Sequence, residues 1–339
     1  MKRASLKTIA LEVGVATSTV SRVLNNDATC YVSSAKRDAI LESIKRHKYT
    51  PNINARNLLQ GKTSNIAFVT RKFDHLQKFG PFWLATLDGI QEELQNFGYS
   101  GSLATISSAE DIERLASKMS LYDGIIFGRG VVTNDGFNIL NEGGKPAVFL
   151  DEPDIGQDFP CVRVNKEVGI IELAVHLQTL GCKRVAIYGV ADYASVIMEI
   201  FNQHGLILQP HDLYGFTKQN VYNLMLEAYE NSDVILEKLS SYDAICCTND
   251  FVAHGLCHRL KKQGIKVGKD IAVTGFDNID ELLDVPLEQR FLTTVDNPRK
   301  IMGRECARLL IDKINGSSNV ILKEIDSTLV VRDSTANFK

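Results

Sequence analysis

The sequence predicts an all-helical N-terminal domain followed by a two-lobed α/β domain with parallel sheets. Through about residue 50, apolar residues recur at the three- and four-residue spacing of amphipathic helices. After about residue 63, short apolar runs typical of buried strands alternate with helical patterns, which favours parallel sheets with helices on both faces. A chain of 339 residues is long enough for two or three domains of about 100–200 residues each.

The first two helices form a predicted helix-turn-helix. Apolar residues at positions 6, 9, 10 and 13 share one face of the first helix, and Gly14 permits the turn that follows. The second helix begins at Thr17 and buries Val20, Val23 and Leu24. Its outer face carries Thr17, Ser18, Ser21, Arg22 and Asn25. Short hydroxyl side chains and a guanidinium suit contact with bases or phosphates, and a solvated polar face is the alternative.

A third helix is predicted to begin near Ser33, which can cap it. Its expected core face is Ala35, Ala39, Ile40 and Ile44. Pro51 disfavours helix at the preceding residue, and Asn52 can cap a short helix from Ile53 to about Leu59.

Strands and helices alternate through the rest of the chain. The first series has expected strands at residues 65–70, 101–105, 124–127 and 147–150, with a helix over 82–97. The second series has expected helices over 167–180, 196–204, 217–231 and 251–263, and expected strands over 184–188, 244–247 and 271–275. Ligands of open parallel sheets bind beyond the carboxyl ends of the strands, so a ligand site between two lobes is expected.

Charge is unevenly distributed along the chain, whose net charge is −3. Residues 1–62 contain 11 basic and 4 acidic side chains, whereas the remaining residues contain 27 basic and 37 acidic ones. A basic segment attached to an acidic body favours contact between that segment and a polyanion, and a solvated basic surface is the alternative.

The composition also argues against several classes of protein. No apolar run approaches the roughly 18 residues that span a bilayer, and no secretory signal is present, so a cytoplasmic location without membrane contact is expected. The seven scattered cysteines form no C-x-x-C pair, which indicates free thiols and no metal site. The phosphate-binding and hydrolase motifs are missing, so we expect neither an enzyme nor a cofactor.

Longer stretches of sequence carry a family resemblance. In the N-terminal domain these are residues 6–25, Tyr49-Thr50-Pro51-Asn52 and Ala55-Arg56-Asn57-Leu58; in the body they include Leu180-Gly181-Cys182, Thr248-Asn249-Asp250, Gly275-Phe276-Asp277 and Val331-Arg332-Asp333. These stretches resemble the LacI/GalR family of bacterial transcription regulators and extend over nearly the whole chain. For the body, the resemblance implies the fold of periplasmic sugar-binding proteins, with crossings between the lobes near residues 162–165, 290–293 and 322–325.

The resemblance implies three functional parts. These are a DNA-binding domain over residues 1–50, a hinge helix and linker over 51–62, and an effector-binding and dimerisation domain over 63–339. Within the last, lobe 1 would comprise about 63–163 and 292–323, and lobe 2 about 164–291 and 324–339. The helix from Thr17 would enter the major groove, and Leu58 would wedge between base steps from the minor groove. The implied DNA contacts are Leu6, Thr17, Ser18, Thr19, Ser21, Arg22, Asn25, Asn52, Ala55 and Leu58.

Effector contacts are expected at the strand ends and near the start of the helix over 82–97. The expected residues are Phe82, Trp83, Asp151, Ser195, Asp250 and Phe276, whereas Asp277 is expected to serve as a turn or helix cap. Sugar-binding relatives usually carry an arginine on the helix after the 184–188 strand, but no arginine occurs here between Arg184 and Arg259. The effector could therefore be small, differently anchored or absent.

The sequence thus predicts a homodimeric, sequence-specific DNA-binding transcription regulator, most simply a repressor, controlled by a small and sugar-like effector. Its expected partners are a near-palindromic double-stranded DNA operator, that effector and a second copy of the chain. A solute-binding protein and a regulator that needs no effector are the alternatives.

Overall fold

The computed structural model of the chain describes residues 5–24, 27, 29–49, 62–71, 80–131, 134–142, 144–151, 159–189, 194–215, 224–317, 321–336 and 338. Contacts divide the chain into two compact units, Met1–Thr63 and Ser64–Lys339. We call them the head and the body and describe each by itself.

The head contains α1 (Leu6–Val13), α2 (Thr17–Leu24) and α3 (Ser34–Arg46). Ser5 and Thr8 form a reciprocal capping box at the start of α1. Gly14 ends α1 with φ of 69°, a conformation that glycine adopts without a Cβ clash, and so allows the short turn into α2. The head therefore has the predicted helix-turn-helix.

Five buried residues, one or two from each helix, form the core of the head: Ile9, Ala10, Val20, Val23 and Ile40. Two residues expected in this core, Ala35 and Ala39, are exposed instead, and the small polar residue Ser43 is buried. The reason is that α3 faces α1 and α2 through the stripe at positions 40, 43 and 44, so the predicted face was rotated around the helix axis. The predicted hinge helix over 53–59 lies outside the described residues.

The body is built on two sheets, each with six strands among the described residues. The strands are β1 (Asn65–Arg71), β2 (Ser100–Ile106), β3 (Gly124–Phe127), β4 (Ala147–Leu150), β5 (Cys161–Asn165), β6 (Val185–Gly189), β7 (Leu213–Gly215), β8 (Ala244–Cys247), β9 (Ala272–Phe276), β10 (Thr293–Asp296), β11 (Leu322–Asp326) and β12 (Thr328–Val330). The first sheet has the strand order β11-β5-β4-β3-β1-β2 and is parallel throughout. The second has the order β12-β10-β9-β8-β6-β7 and is parallel except for β12, which pairs antiparallel with β10.

Helices cover both faces of the sheets. They are α4 (Gly80–Asn96), α5 (Ala109–Ala116), α6 (Asn134–Asn141), α7 (Lys166–Thr179), α8 (Ala194–Gln203), α9 (Leu224–Glu230), α10 (Asp233–Leu236), α11 (Asp250–Lys262), α12 (Ile279–Leu282), α13 (Arg299–Ile314) and α14 (Asp333–Ala336). Helices α4 and α13 pack closely: a Cβ on Gly89 would lie only 2.0 Å from the Lys300 carbonyl oxygen. Glycine is required at that crossing for the two backbones to approach.

Each sheet separates two apolar cores, as expected for a sheet with helices on both faces. The chain passes from one sheet to the other after Asn165, after Asp296 and after Asp326. The sequence predicts these crossings near 162–165, 290–293 and 322–325. The first crossing falls where it is expected, whereas the other two come slightly later because β10 and β11 are completed within their own sheets before the chain leaves.

Candidate DNA-contacting helix and ligand cleft

Helix α2 presents a polar face to solvent. Its apolar residues Val20 and Val23 are fully buried, which turns Thr17, Ser18 and Arg22 outward. The Arg22 side chain is 60% exposed and makes a loose ion pair, with its Nε 3.8 Å from Asp27 Oδ2. A loosely held guanidinium on an exposed helix face can reorient toward a base or a phosphate.

The other residues predicted to contact DNA are either less exposed or outside the described residues. Thr19 and Ser21 are half-buried on α2, and Leu6 is half-buried where it packs against the core of the head. Asn25, Asn52, Ala55 and Leu58 lie outside the described residues, so their predicted contacts stay predictions.

A polar contact fixes the first helix to the last one in the head. The Glu12 carboxylate accepts a hydrogen bond from Arg46 at 2.8 Å and lies 2.5 Å from His47 Nε2. The hydrogen bond with His47 holds the pKa of Glu12 below its usual value, and the nearby charge of Arg46 acts in the same direction. This contact links α1 to the C-terminal end of α3, the two helices against which α2 packs.

In the body, side chains from both sheets meet beyond the carboxyl ends of their strands. Asp151 follows β4 of the first sheet, and Asp277 follows β9 of the second. Arg299 lies between them, with Nη1 3.5 Å from Asp151 Oδ2 and Nη2 3.9 Å from Asp277 Oδ1. We call the region bordered by these three side chains the cleft. It lies where open parallel sheets bind ligands.

Backbone strain is concentrated at the same strand ends. Asp151, Asp277 and Asn278 have φ values of 55°, 103° and 52°, in the region that non-glycine residues rarely adopt. Such strain persists where the surrounding structure enforces it, and it clusters at ligand sites. Asp277 is further held by Asn297, whose side-chain amide donates a 2.9 Å hydrogen bond to Asp277 Oδ1.

Electrostatics at Asp277 reflect two opposing influences. Burial raises the pKa of this carboxyl above its usual value, whereas the Arg299 guanidinium and the Asn297 hydrogen bond oppose that rise. Lys166, the first residue of α7, opposes it as well. The Asp277 carboxyl is thus a polar group whose charge state depends on the cations around it.

Asp250 has a different environment from the one expected of an effector contact. It is 2% exposed, and both of its carboxylate oxygens accept hydrogen bonds from the protein. Oδ1 accepts from the Thr294 hydroxyl at 2.7 Å, and Oδ2 accepts from the Ile279 backbone amide at 2.8 Å. Asp250 therefore ties α11 to β10 and α12, and its predicted contact with an effector stays a prediction.

Aromatic residues border the same strand ends. Trp83, in the first turn of α4, is half-buried with its ring 5.6 Å from that of Phe68 and its edge against Gly128. Phe276 is half-buried against the core of the second sheet. Phe82 and Ser195 lie within α4 and α8, but their side chains are outside the described part of the structure.

Comparison with known proteins yields two matches to family models. Residues 5–52 match the bacterial regulatory proteins of the lacI family, and residues 174–335 match the periplasmic binding protein-like domain. The N-terminal part of the chain is therefore similar to the lacI family, and much of the body is similar to periplasmic binding proteins. The chain is a DNA-binding transcription regulator, with the helix-turn-helix and the two-lobed α/β body of the lacI family.

Similarity to transcription regulators extends over the full length of the chain. An uncharacterized HTH-type transcriptional regulator, YvdE of Bacillus subtilis, is 29% identical over 98% of this chain and 99% of its own. The HTH-type transcriptional regulator CelR of Thermobifida fusca is 28% identical, with 98% of each chain covered. These relatives are regulators, in agreement with the prediction that the chain is not an enzyme.

Solved structures of lacI-family proteins share the fold. The complex of the transcriptional regulator CelR with cellobiose has a TM-score of 0.66 at 24% identity, covering 98% of this chain and 100% of that one. The lac repressor dimer bound to operator and the anti-inducer ONPF has a TM-score of 0.72 at 21% identity, covering 98% and 99%. Within the described ranges of the chain, no helix is long and apolar enough to cross a membrane.

Two arginines of the cleft were not identified from the sequence. Arg299 opens α13, and Arg129 follows β3, with Nη1 3.7 Å from Asp151 Oδ2. Both residues lie just after a strand of a parallel sheet, and this position in the sequence is the feature from which they could have been predicted to border the cleft. An arginine would be expected on the helix over 196–204, which has none, whereas Arg299 lies on α13, after the crossing that follows Asp296.

Proposed function

We propose that this regulator is a cytoplasmic homodimer that represses transcription by binding a near-palindromic operator, with an affinity controlled by a small effector in the cleft. The DNA-contacting part would be residues 1–50, residues 51–62 would form the hinge, and residues 63–339 would hold the dimer and the effector. A two-fold dimer requires two matching half-sites, one for each head.

The observation that carries this proposal is the orientation of α2. Val20 and Val23 are fully buried in the head, so the hydroxyls of Thr17 and Ser18 and the guanidinium of Arg22 point outward. The head is also the basic part of the chain, whereas the remaining residues are acidic overall. A basic helix-turn-helix has the chemistry needed to bind phosphates and read bases in the major groove.

The geometry of the body supports control by a ligand. Arg299 contacts carboxylates of both lobes, so a ligand between Asp151 and Asp277 would alter contacts that hold the lobes together. A change in the angle between the lobes would alter the spacing of the two hinge segments in a dimer, and operator affinity would follow by linkage. Ligand binding can raise or lower that affinity under this scheme.

Proteins of the same fold support the choice of partners. One solved structure is a lac repressor dimer bound to operator, another holds cellobiose, and a third, from Enterococcus faecium, holds ribose. By analogy, we propose a second copy of the chain, an operator and a polyhydroxylated effector as the partners of this protein.

The experiment that tests this function is selection of genomic DNA fragments by the purified full chain. We expect a small set of enriched fragments that share an inverted repeat, and binding in gel shifts that weakens as salt rises. Retention of all fragments equally, or of none, would contradict the proposal. Mutation of one half-site should weaken binding strongly if two heads bind together.

A further inference from the structure

An acidic residue lies next to the exposed arginine of α2. Asp27 follows shortly after α2 ends at Leu24, and its Oδ2 is 3.8 Å from Arg22 Nε. The Asp27 backbone amide donates a 3.0 Å hydrogen bond to the Arg22 carbonyl oxygen, and the Asp27 carbonyl oxygen accepts one from the Cys30 amide at 3.0 Å. The loop after α2 therefore folds back on the last turn of the helix and brings the carboxylate beside the guanidinium.

The Asp27 carboxylate is itself held in place. Its Oδ1 accepts two hydrogen bonds from Thr29, one from the backbone amide at 2.8 Å and one from the hydroxyl at 2.6 Å. These hydrogen bonds, together with the nearby charge of Arg22, hold the pKa of Asp27 below its usual value, so the carboxyl group is ionised at neutral pH. One oxygen thus accepts from the loop, and the other faces Arg22.

A negative charge is unfavourable at this position for two reasons. The C-terminal end of a helix carries a partial negative charge, so a carboxylate there is destabilising. The head is also the basic part of the chain, and Asp27 lies beside a surface that would face the phosphates of DNA. An asparagine side chain can accept the same two hydrogen bonds in a turn of this kind. The turn alone therefore does not explain the charge of Asp27.

The charge of Asp27 does affect what Arg22 can bind. A phosphate at the guanidinium would lie close to the Asp27 carboxylate and be repelled by it, whereas the edge of a base carries no net charge. The carboxylate also lies on the Nε side of the guanidinium, so the outer edge, formed by the two Nη groups, can face a base. Two donors side by side match the O6 and N7 acceptors of guanine.

We propose that Asp27 is a positioning residue that directs Arg22 to read one guanine in each half-site and disfavours a phosphate contact. This inference rests on the proposed function, to which it adds one base of the operator and the side chain that helps to select it. The ion pair between Arg22 and Asp27 is exposed, so it contributes little to the stability of the head. Its effect is on the choice of DNA contact and not on folding.

The test compares Asp27→Asn with wild type, because asparagine keeps the turn and removes the charge. Duplexes are first selected by the full chain from a random-sequence library. Affinities for the consensus duplex and for its single-base variants are then measured by fluorescence anisotropy at several salt concentrations. We expect wild type to prefer guanine at one position of each half-site by about 5- to 150-fold, a preference that Arg22→Met removes. Asp27→Asn should reduce this preference at least about threefold, at the same position only.

A second readout excludes a purely structural role of Asp27. Without the carboxylate, Arg22 can pair with a phosphate, so Asp27→Asn should bind an unrelated duplex about 2- to 10-fold more tightly, with a steeper salt dependence of the affinity. A damaged turn would instead weaken binding to every duplex. Asp38→Asn is the matched control, because it removes a charge from an exposed position of α3 and should leave the guanine preference unchanged. Adding Asp27→Asn to Arg22→Met should not change base preference further, because Asp27 acts through Arg22.

The outcomes separate this inference from the proposed function. Failure of wild type to enrich any sequence contradicts the proposed function. Enrichment by wild type, combined with an unchanged guanine preference in Asp27→Asn, overturns the inference and leaves the function standing. Weaker binding of Asp27→Asn to all duplexes, or a guanine preference that survives in Arg22→Met, overturns the inference as well. Loss of the guanine preference together with tighter binding to unrelated DNA supports it.

Discussion

The buried carboxylate of Asp250 offers a sharp test of how the second lobe is held together. Its oxygens accept hydrogen bonds from the Thr294 hydroxyl and the Ile279 amide, and the residue is 2% exposed. The change Asp250→Ala would leave both donors buried without an acceptor. Each unsatisfied buried donor costs about 1–3 kcal/mol, so the variant should lose about 2–6 kcal/mol of unfolding free energy.

The assay is equilibrium urea unfolding of the full chain followed by far-ultraviolet circular dichroism. Thr294→Val removes one of the two donors. The loss of unfolding free energy in the double variant Asp250→Ala/Thr294→Val should therefore be smaller than the sum of the two single losses, by about 1 kcal/mol or more. The control is Asp284→Asn. Asp284 is exposed and has a left-handed backbone conformation that asparagine also adopts, so the unfolding free energy should change by no more than about 0.5 kcal/mol.

The outcome distinguishes the two interpretations of Asp250. A large loss of stability with non-additivity supports a structural tie between α11, β10 and α12. Wild-type stability in Asp250→Ala, combined with loss of any ligand response, would refute this reasoning and restore the effector contact expected from the sequence.

Four further predictions concern the DNA-contacting surface and the charges. Arg22→Ala should cost about 1–3 kcal/mol of discrimination between operator and mutated operator if Arg22 reads a base, whereas equal weakening on all sequences in a filter-binding assay would identify a phosphate contact. Leu58→Ala should reduce DNA bending, measured by circular-permutation gel shift, without dissociating the body; unchanged bending would exclude an intercalating role. Because the pKa of Glu12 is lowered in the folded head, its stabilising effect should be present above about pH 4.5 and lost as pH falls through the lowered pKa. The difference in melting temperature between wild type and Glu12→Gln should therefore vanish in acid, and a difference that stays constant with pH would contradict a stabilising role of the Glu12 carboxylate. Arg299→Met should raise the pKa of Asp277 further, as measured by NMR titration of the carboxyl carbon, and should increase the loss of unfolding free energy as pH rises above about 3.8. An unchanged pKa of Asp277 would show that Arg299 and Asp277 do not interact.

Three buried central strands could be located closely from the sequence, whereas the edge strand β11 could not. Residues 124–127, 147–150 and 244–247 are continuous buried apolar runs, and the predicted and observed bounds coincide. The edge strand β11, in contrast, has half-buried positions that alternate with exposed ones and carries charged side chains, so it lacks the apolar run typical of a core strand. Its position is set by pairing with β5, which is distant in sequence.

The cleft was predictable in location but not in composition. Asp151 was identified because it directly follows an obvious strand. Arg299 was missed because it contacts Asp151 across about 150 residues of sequence, through a crossing that the pattern placed too early. Asp250 follows a strand as well, but its surroundings come from β10 and α12, and local sequence gives no sign of them.

The most direct measurement of the central claim is the affinity of the full chain for a selected operator and for the same fragment with one half-site scrambled, at several salt concentrations. We expect two chains per operator, a strong loss of affinity on scrambling, and a linear decrease of log affinity with log salt. Equal affinity for both fragments at every salt concentration would show that the head does not read sequence as a paired unit.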